Sequence, residues 1–303
     1  MKRSMRRVSV QVSLVTGLLF LCSSGSVSAH EVTVSGKACP FFAGQSSCPT
    51  GDEFFNDQVL PEAIPVCGGS MISISAEGTW GHVEGMESSP EGRSDGFCDN
   101  TQDPYVNLGG ISRVIAPLNT LIGVFLTDAA PDPAALPTSL TLGADDMTTP
   151  GLQQAFAIGS NLEYIHVPEG ATRLFLGIND GYEWSNNVGS VNVTIASAVR
   201  IDIKPETLNL NSKGVFTAFI ELPEEFDAED IDMSTVACAG APAQKSMLAD
   251  DGRLLIKFDC EALDPEKVSA GDAVKLTVTG KLTDGTLFAG SDTVRVIDKG
   301  GKK

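Results

Sequence analysis

Between positions 174 and 190 the chain reads Leu174-Phe175-Leu176-Gly177-Ile178-Asn179-Asp180-Gly181-Tyr182-Glu183-Trp184-Ser185-Asn186-Asn187-Val188-Gly189-Ser190, and oxygen-bearing side chains concentrate there. An apolar run delivers Asp180 into a polar stretch, Gly181 permits a tight turn, and Asn186 and Asn187 add two amide oxygens. Calcium takes about six to eight oxygens drawn from carboxylates, amides and backbone carbonyls. One carboxylate with two amides is a partial set of that kind, and it leaves positions for a ligand hydroxyl. Asn and Asp also populate β-turns for backbone reasons alone, so the spacing taken by itself is also that of a turn that binds nothing. Trp184, Tyr182 and, farther back, Trp80 are the aromatic residues able to stack on the apolar face of a sugar ring. Trp184 lies inside the polar stretch and is the best placed, whereas Trp80 fits the packed edge of a sheet.

Catalytic patterns are not in evidence. The histidines are His30, His82 and His166, and the chain carries no Gly-x-Ser-x-Gly elbow, no His-Glu-x-x-His helix and no phosphate-cradling glycine loop. The carboxylate pair of a glycoside hydrolase need only be close in space, and nothing in the order of residues indicates one. A binding protein rather than an enzyme is the expectation.

The elements that hold the polar stretch are strands. Apolar residues alternate along most of the chain instead of recurring at helical spacing, which predicts an all-β fold. Met71-Ile72-Ser73-Ile74-Ser75, positions 121–126, Leu174-Phe175-Leu176 and Lys275-Leu276-Thr277-Val278-Thr279 are the clearest examples, and a stretch at 152–156 is the one short helical candidate. Asp284-Gly285 between apolar runs marks a hairpin. Many short strands with turn signals predict two β-sandwiches in tandem. An alternating strand at 190–195 closes the first and Arg200-Ile201-Asp202-Ile203-Lys204-Pro205 opens the second, so the expected domains are 30–198 and 199–297, followed by a tail at 298–303.

Lys2, Arg3, Arg6 and Arg7 precede an apolar run over 8–21, and Val27-Ser28-Ala29 supplies a small-x-small cleavage pattern. Positions 1–29 read as a signal peptide, and the chain as secreted to the periplasm, the cell surface or the medium without membrane insertion after cleavage. Removing four positive charges takes the formal net charge from -18 to -22. That sign repels phosphate backbones and anionic headgroups, which argues against nucleic acid as a partner, and it suits divalent cations; it also serves solubility. The exported part keeps Cys39, Cys48, Cys67, Cys98, Cys238 and Cys260, an even count that favours disulfides. The expected pairs are Cys39–Cys48, Cys67–Cys98 and Cys238–Cys260. The acidic run Glu224, Glu225, Asp227, Glu229, Asp230 and Asp232 reads as a solvated loop.

Asn179-Asp180 followed by Asn186-Asn187-x-Gly189-Ser190 resembles the signature loop of the LecA-like bacterial calcium lectins, which bind galactose through the metal. Val34-Ser35-Gly36-Lys37-Ala38, Ala116-Pro117-Leu118-Asn119 and Val167-Pro168-Glu169-Gly170-Ala171-Thr172-Arg173 resemble fragments of larger secreted relatives, so the resemblance spans about 31–196. It implies that Asp180, Asn186 and Asn187 give side-chain oxygens to one calcium, that Glu183 gives its backbone carbonyl, and that a carbonyl near His82 completes the protein ligands. Vicinal sugar hydroxyls would fill the remaining positions, with Asp180 and Asn186 hydrogen-bonding the sugar and Trp184 stacking on it. The interval from Asp180 to Asn186 is one residue shorter than in the founding lectin, and positions 88–99 fall where that lectin's His and Gln contacts to the sugar would lie, without a clear match. The second half resembles an Ig-like module of secreted bacterial proteins. The implied function is calcium-dependent binding of galactose-type glycans; the alternative is a calcium-stabilised structural or adhesion module with no sugar ligand. The oligomeric state is left open.

Overall fold

A computed structural model describes residues 30–47, 59–100, 109–223, 226–249 and 252–298. The first half folds as β1 (His30–Ser35), β2 (Ile64–Pro65), β3 (Met71–Gly81), β4 (Phe97–Cys98), β5 (Val114–Pro117), β6 (Leu121–Leu126), β7 (Leu140–Thr141), β8 (Ala155–Ala157), β9 (Asn161–His166), β10 (Arg173–Ile178) and β11 (Val188–Ala198). The second half folds as β12 (Arg200–Lys204), β13 (Thr207–Asn209), β14 (Val215–Glu221), β15 (Ile231–Cys238), β16 (Ala241–Leu248), β17 (Leu254–Asp259), β18 (Gly271–Leu282) and β19 (Leu287–Ile297). The protein is all-β: helical geometry among the described residues is confined to three-residue 3-10 turns such as Pro40–Phe42.

Two layers enclose the first core. Strands β1, β11, β3 and β9 lie side by side, and facing them is the sheet β2-β10-β6-β8. Alternation assigns the faces of the first layer: Val191, Val193 and Ile195 of β11 and Ile72, Ile74 and Ala76 of β3 point inward, while Ser190 and Asn192 stay outside. The second layer needs no alternation because it is covered on both faces. Every residue of β6 is buried, as are five of the six in β10, which is why both read as continuous apolar runs. A third small sheet, β4-β5-β7, lies beside this layer.

The helical expectation at 152–156 is not met. Leu152 bridges Phe125, Gln153 takes φ 61, and Ala155–Ala157 pairs with β6 as β8, because sheet partners override a five-residue local preference.

The second core is a separate cluster, drawn from residues 199–296, with Phe216 and Phe258 stacked at 5.3 Å. Asp284-Gly285 closes the β18–β19 hairpin, with Gly285 at φ 91. Sheet pairing nonetheless runs through the junction: Ser197 and Ala198 of β11 pair in parallel with Phe288 and Ala289 of β19, and the Val199 N–H donates to the Ala289 carbonyl at 2.9 Å. A side chain at Gly290 would stand 2.0 Å from the Val199 carbonyl oxygen, so this seam requires glycine there. Glu163 adds a polar tie, accepting from the Ser291 hydroxyl at 2.7 Å and facing the Lys275 ammonium at 3.3 Å.

The cysteine pairing differs from expectation. Cys67 is disulfide-bonded, but not to Cys98, whose sulfur accepts from the Asn100 backbone N–H at 3.4 Å. Cys238 and Cys260 are both thiols. Strand β16 lies between β15 and β17, so the strands carrying or leading to these cysteines are two spacings apart, about 10 Å, whereas a bridge tolerates a Cα separation of about 7 Å. The Cys39–Cys48 pairing involves a residue outside the described ones. No helix among the described residues is long and apolar enough to cross a membrane.

Candidate metal centre

The polar stretch caps one end of the first sandwich. Strand β10 ends at Ile178, and the ladder to β6 runs one step further: the Asn179 N–H donates to the Thr120 carbonyl at 2.8 Å, and the Asn119 N–H to the Asn179 carbonyl at 2.9 Å. Asn179 is fully buried. Its Nδ2 donates to the Ala116 and Pro117 carbonyls, and its Oδ1 accepts from Asn100 Nδ2 at 2.9 Å. The same Asn100 amide donates to the Asp180 carbonyl at 2.7 Å. Asn100 and Asn179 therefore clamp the start of the loop against β5.

Trp184 anchors its middle, and from below. The indole is wholly buried, donates from Nε1 to the Ile178 carbonyl at 3.2 Å and meets the Phe41 ring edge-on at 5.7 Å. The stacking role expected for Trp184 is thereby overturned, since the ring shows no face to a ligand. Trp80 is equally buried, with Nε1 on the Asn119 carbonyl at 2.7 Å. Tyr182, 37% exposed, is the loop's outward aromatic residue. Gly189 lets β11 leave the loop, because its φ of 75 and a would-be Cβ 2.6 Å from the Thr79 carbonyl oxygen exclude other residues.

Two side chains of the expected set come together in the interior. Asp180 is 6% exposed; its Oδ1 accepts from the Gly181 N–H at 2.6 Å, while Oδ2 is buried with no hydrogen-bond partner. Asn187 is 1% exposed, and its Nδ2 donates to the Gly36 carbonyl at 2.9 Å. That bond leaves Oδ1 buried and likewise without a donor. Burial pushes the Asp180 carboxyl up to about 6, offset in part by the Gly181 N–H, the Asn187 side chain and the charge of His82. A buried acceptor without a donor costs roughly 1–3 kcal/mol, and more when charged, so two such oxygens in one loop are unusual for a purely structural turn.

Asn186 stands apart from this pair. It is exposed, and its Nδ2 donates to the Glu183 carboxylate at 3.2 Å, which places a second carboxylate at the rim. His82 follows β3, whose last residue Gly81 pairs with Val188, the residue after Asn187, so both lie just beyond the end of that ladder. Among the described residues no three His, Cys, Asp or Glu side chains gather as a metal cluster; the buried oxygens without a donor are those of one carboxylate, Asp180, and one amide, Asn187. Oxygen donors of that mixture fit a hard cation such as calcium.

No family model and no curated protein matches the chain. Among solved structures, the chain is similar to an EclA N-terminal domain, a PllA-like lectin. The two are 15% identical, with a TM-score of 0.25, and the match covers 57% of this chain and 98% of that one.

Asn100 and Asn119 hold the loop through Asn179 and Asp180, and the order of the chain does not disclose them. Each is buried and at positive φ, 55 and 68. In a sequence, an isolated Asn beside Pro or Thr reads as a turn residue.

Proposed function

We propose that the protein is a secreted, calcium-dependent carbohydrate-binding protein for galactose-type glycans, acting by binding and not by turnover. The observation that carries this reading is the pair of buried oxygens, Asp180 Oδ2 and Asn187 Oδ1, that no donor reaches. A calcium ion between them would satisfy both and offset the buried charge. Asp180, Asn187 and Asn186 offer three side-chain oxygens, and the carbonyls of Glu183 and His82 bring the set to five. Calcium takes about six to eight, so positions remain for two adjacent sugar hydroxyls, with Tyr182 at the rim as the stacking surface.

Calorimetry with calcium, followed by a glycan array with and without chelator, tests this. Calcium binding that Asp180→Ala abolishes, together with sugar binding that chelator abolishes, is the expected result. Calcium at 100 times its dissociation constant should stabilise the fold by about 2.7 kcal/mol, and melting indifferent to calcium would remove the metal. The burial of Trp184 favours a second reading, a calcium-stabilised structural or adhesion module, because it removes the broadest aromatic platform from the loop. Heat from calcium but from no galactoside, mannoside or fucoside would select that reading.

A further inference from the structure

Asn119 determines which ring nitrogen of His82 carries the hydrogen. Its Nδ2 donates to the Met86 carbonyl at 2.8 Å and the Ser88 hydroxyl oxygen at 3.2 Å, so its Oδ1 is the atom turned toward His82. That oxygen accepts the His82 backbone N–H at 3.0 Å and lies 2.8 Å from ring Nδ1. An amide oxygen only accepts. Nδ1 therefore holds the hydrogen, and in the neutral ring Nε2 keeps a lone pair. Asn119 is itself pinned, fully buried, with its N–H on the Asn179 carbonyl and its own carbonyl on the Trp80 indole.

His82 Nε2 makes no hydrogen bond among the described residues, and unlike Asp180 Oδ2 it is not sealed from solvent. Its position borders the oxygen pair. His82 and Asn187 are the residues that follow and precede the last registered pair, Gly81 and Val188, and the ring is close enough to bear on the Asp180 carboxyl.

We infer that His82 is a specificity-determining residue whose bare Nε2 accepts a hydrogen bond from a ligand hydroxyl beside the Asp180–Asn187 pair, so that the site takes neutral sugars and rejects acidic ones. A hydroxyl brings the donor that Nε2 requires. A carboxylate or sulfate brings acceptors only, set against a lone pair and a buried Asp180. The inference rests on the sugar-binding reading above.

Calorimetry at pH about 8.5 with saturating calcium is the test. The probes are methyl α-galactoside, mannoside and fucoside, then the monodeoxyfluoro series of whichever binds, in which one hydroxyl at a time loses its hydrogen. One analogue should bind the wild type about tenfold more weakly than its parent, and that penalty should vanish in His82→Ala. The matching uronoside should bind at least tenfold more weakly than the neutral sugar. Equal penalties in wild type and variant for every analogue, or a uronoside that binds as well as its parent, overturn the inference and leave calcium-dependent sugar binding standing. No heat with any of the three glycosides while calcium binds overturns both. A further measurement needs neither variant nor ligand: nitrogen-15 NMR of the wild type should show His82 as the Nδ1–H tautomer, and an Nε2–H ring overturns the inference.

Discussion

Without metal, replacing Asp180 by Asn should make the protein more stable, and by an amount that grows with pH. The carboxyl stands at about 6 in the folded chain against the ordinary 3.8, with burial the dominant cause. A raised acid means that the folded state holds its proton more tightly than the unfolded state does. Below about 4 both states are protonated and nothing is lost; as pH rises toward 6 the unfolded carboxyl ionises first, and stability falls. Above 6 the loss is complete. The interval of about two pH units corresponds to roughly 3 kcal/mol, at about 1.4 kcal/mol for each. Asn does not titrate, and its amide can also donate to the Asn187 oxygen that lacks a donor. Urea denaturation of both proteins in chelator, from pH 4 to 7.5, reads the difference while the other carboxylates cancel. It should be small at pH 4 and reach about 3 kcal/mol near pH 7 in favour of the Asn variant. Saturating calcium should reverse the order, because only the wild type responds. A pH-independent difference in chelator, or an Asn variant less stable than wild type at pH 7, would refute the reasoning.

Trp184→Ala should cost about 3–5 kcal/mol in the denaturation midpoint, because the indole is fully buried and bonded to the Ile178 carbonyl; a cost under about 1 kcal/mol would show that the loop is not anchored from below. Gly290→Ala would set a methyl 2.0 Å from the Val199 oxygen and should strip hydrogen-exchange protection from the Val199 amide; protection equal to wild type would show that the seam can adjust. Mass mapping of the native protein should find Cys67 in a disulfide, and Cys238 and Cys260 as thiols that alkylate only on unfolding. Burial pushes the Cys238 thiol up to about 12 and raises Cys260 in the same direction; a Cys238–Cys260 bridge would contradict the strand order.

The strands were legible because a two-layer core selects one parity along each chain segment. Val191, Val193 and Ile195 alternate with Ser190, Asn192 and Thr194, and that pattern has one solution. That Asp180 and Asn187 carry oxygens in one loop was legible from the order of residues; that both are buried was not. The direction of Trp184 was not, because a Trp among polar residues looks exposed until Ile178 and Phe41 appear beneath it. The Cys238–Cys260 expectation failed for a related reason: nearness along the chain was taken for nearness in space, and β16 intervenes. Asn100 and Asn119 reach the loop from 80 and 60 residues away in the chain, from Asp180 and Asn179 respectively, so no local spacing announces them.

The site is defined by where its donors have gone. Asn187 Nδ2 is committed to Gly36, Asn100 Nδ2 to Asn179 and Asp180, Asn179 Nδ2 to Ala116 and Pro117, Asn119 Nδ2 to Met86 and Ser88, and the Trp184 indole to Ile178. Asp180 Oδ2 and Asn187 Oδ1 are left without a hydrogen bond among the described residues, and the Asn187 side chain offsets the burial of Asp180 only in part. A water molecule could donate one hydrogen to each, which would satisfy the acceptors and leave the charge of Asp180 buried. A cation satisfies the acceptors and the charge together. Asp180→Asn separates these cases, since it keeps an acceptor at that position and removes only the charge: in chelator the pH-dependent gain worked out above follows either way, but only a calcium site gives a wild type that calcium stabilises and a variant that it does not.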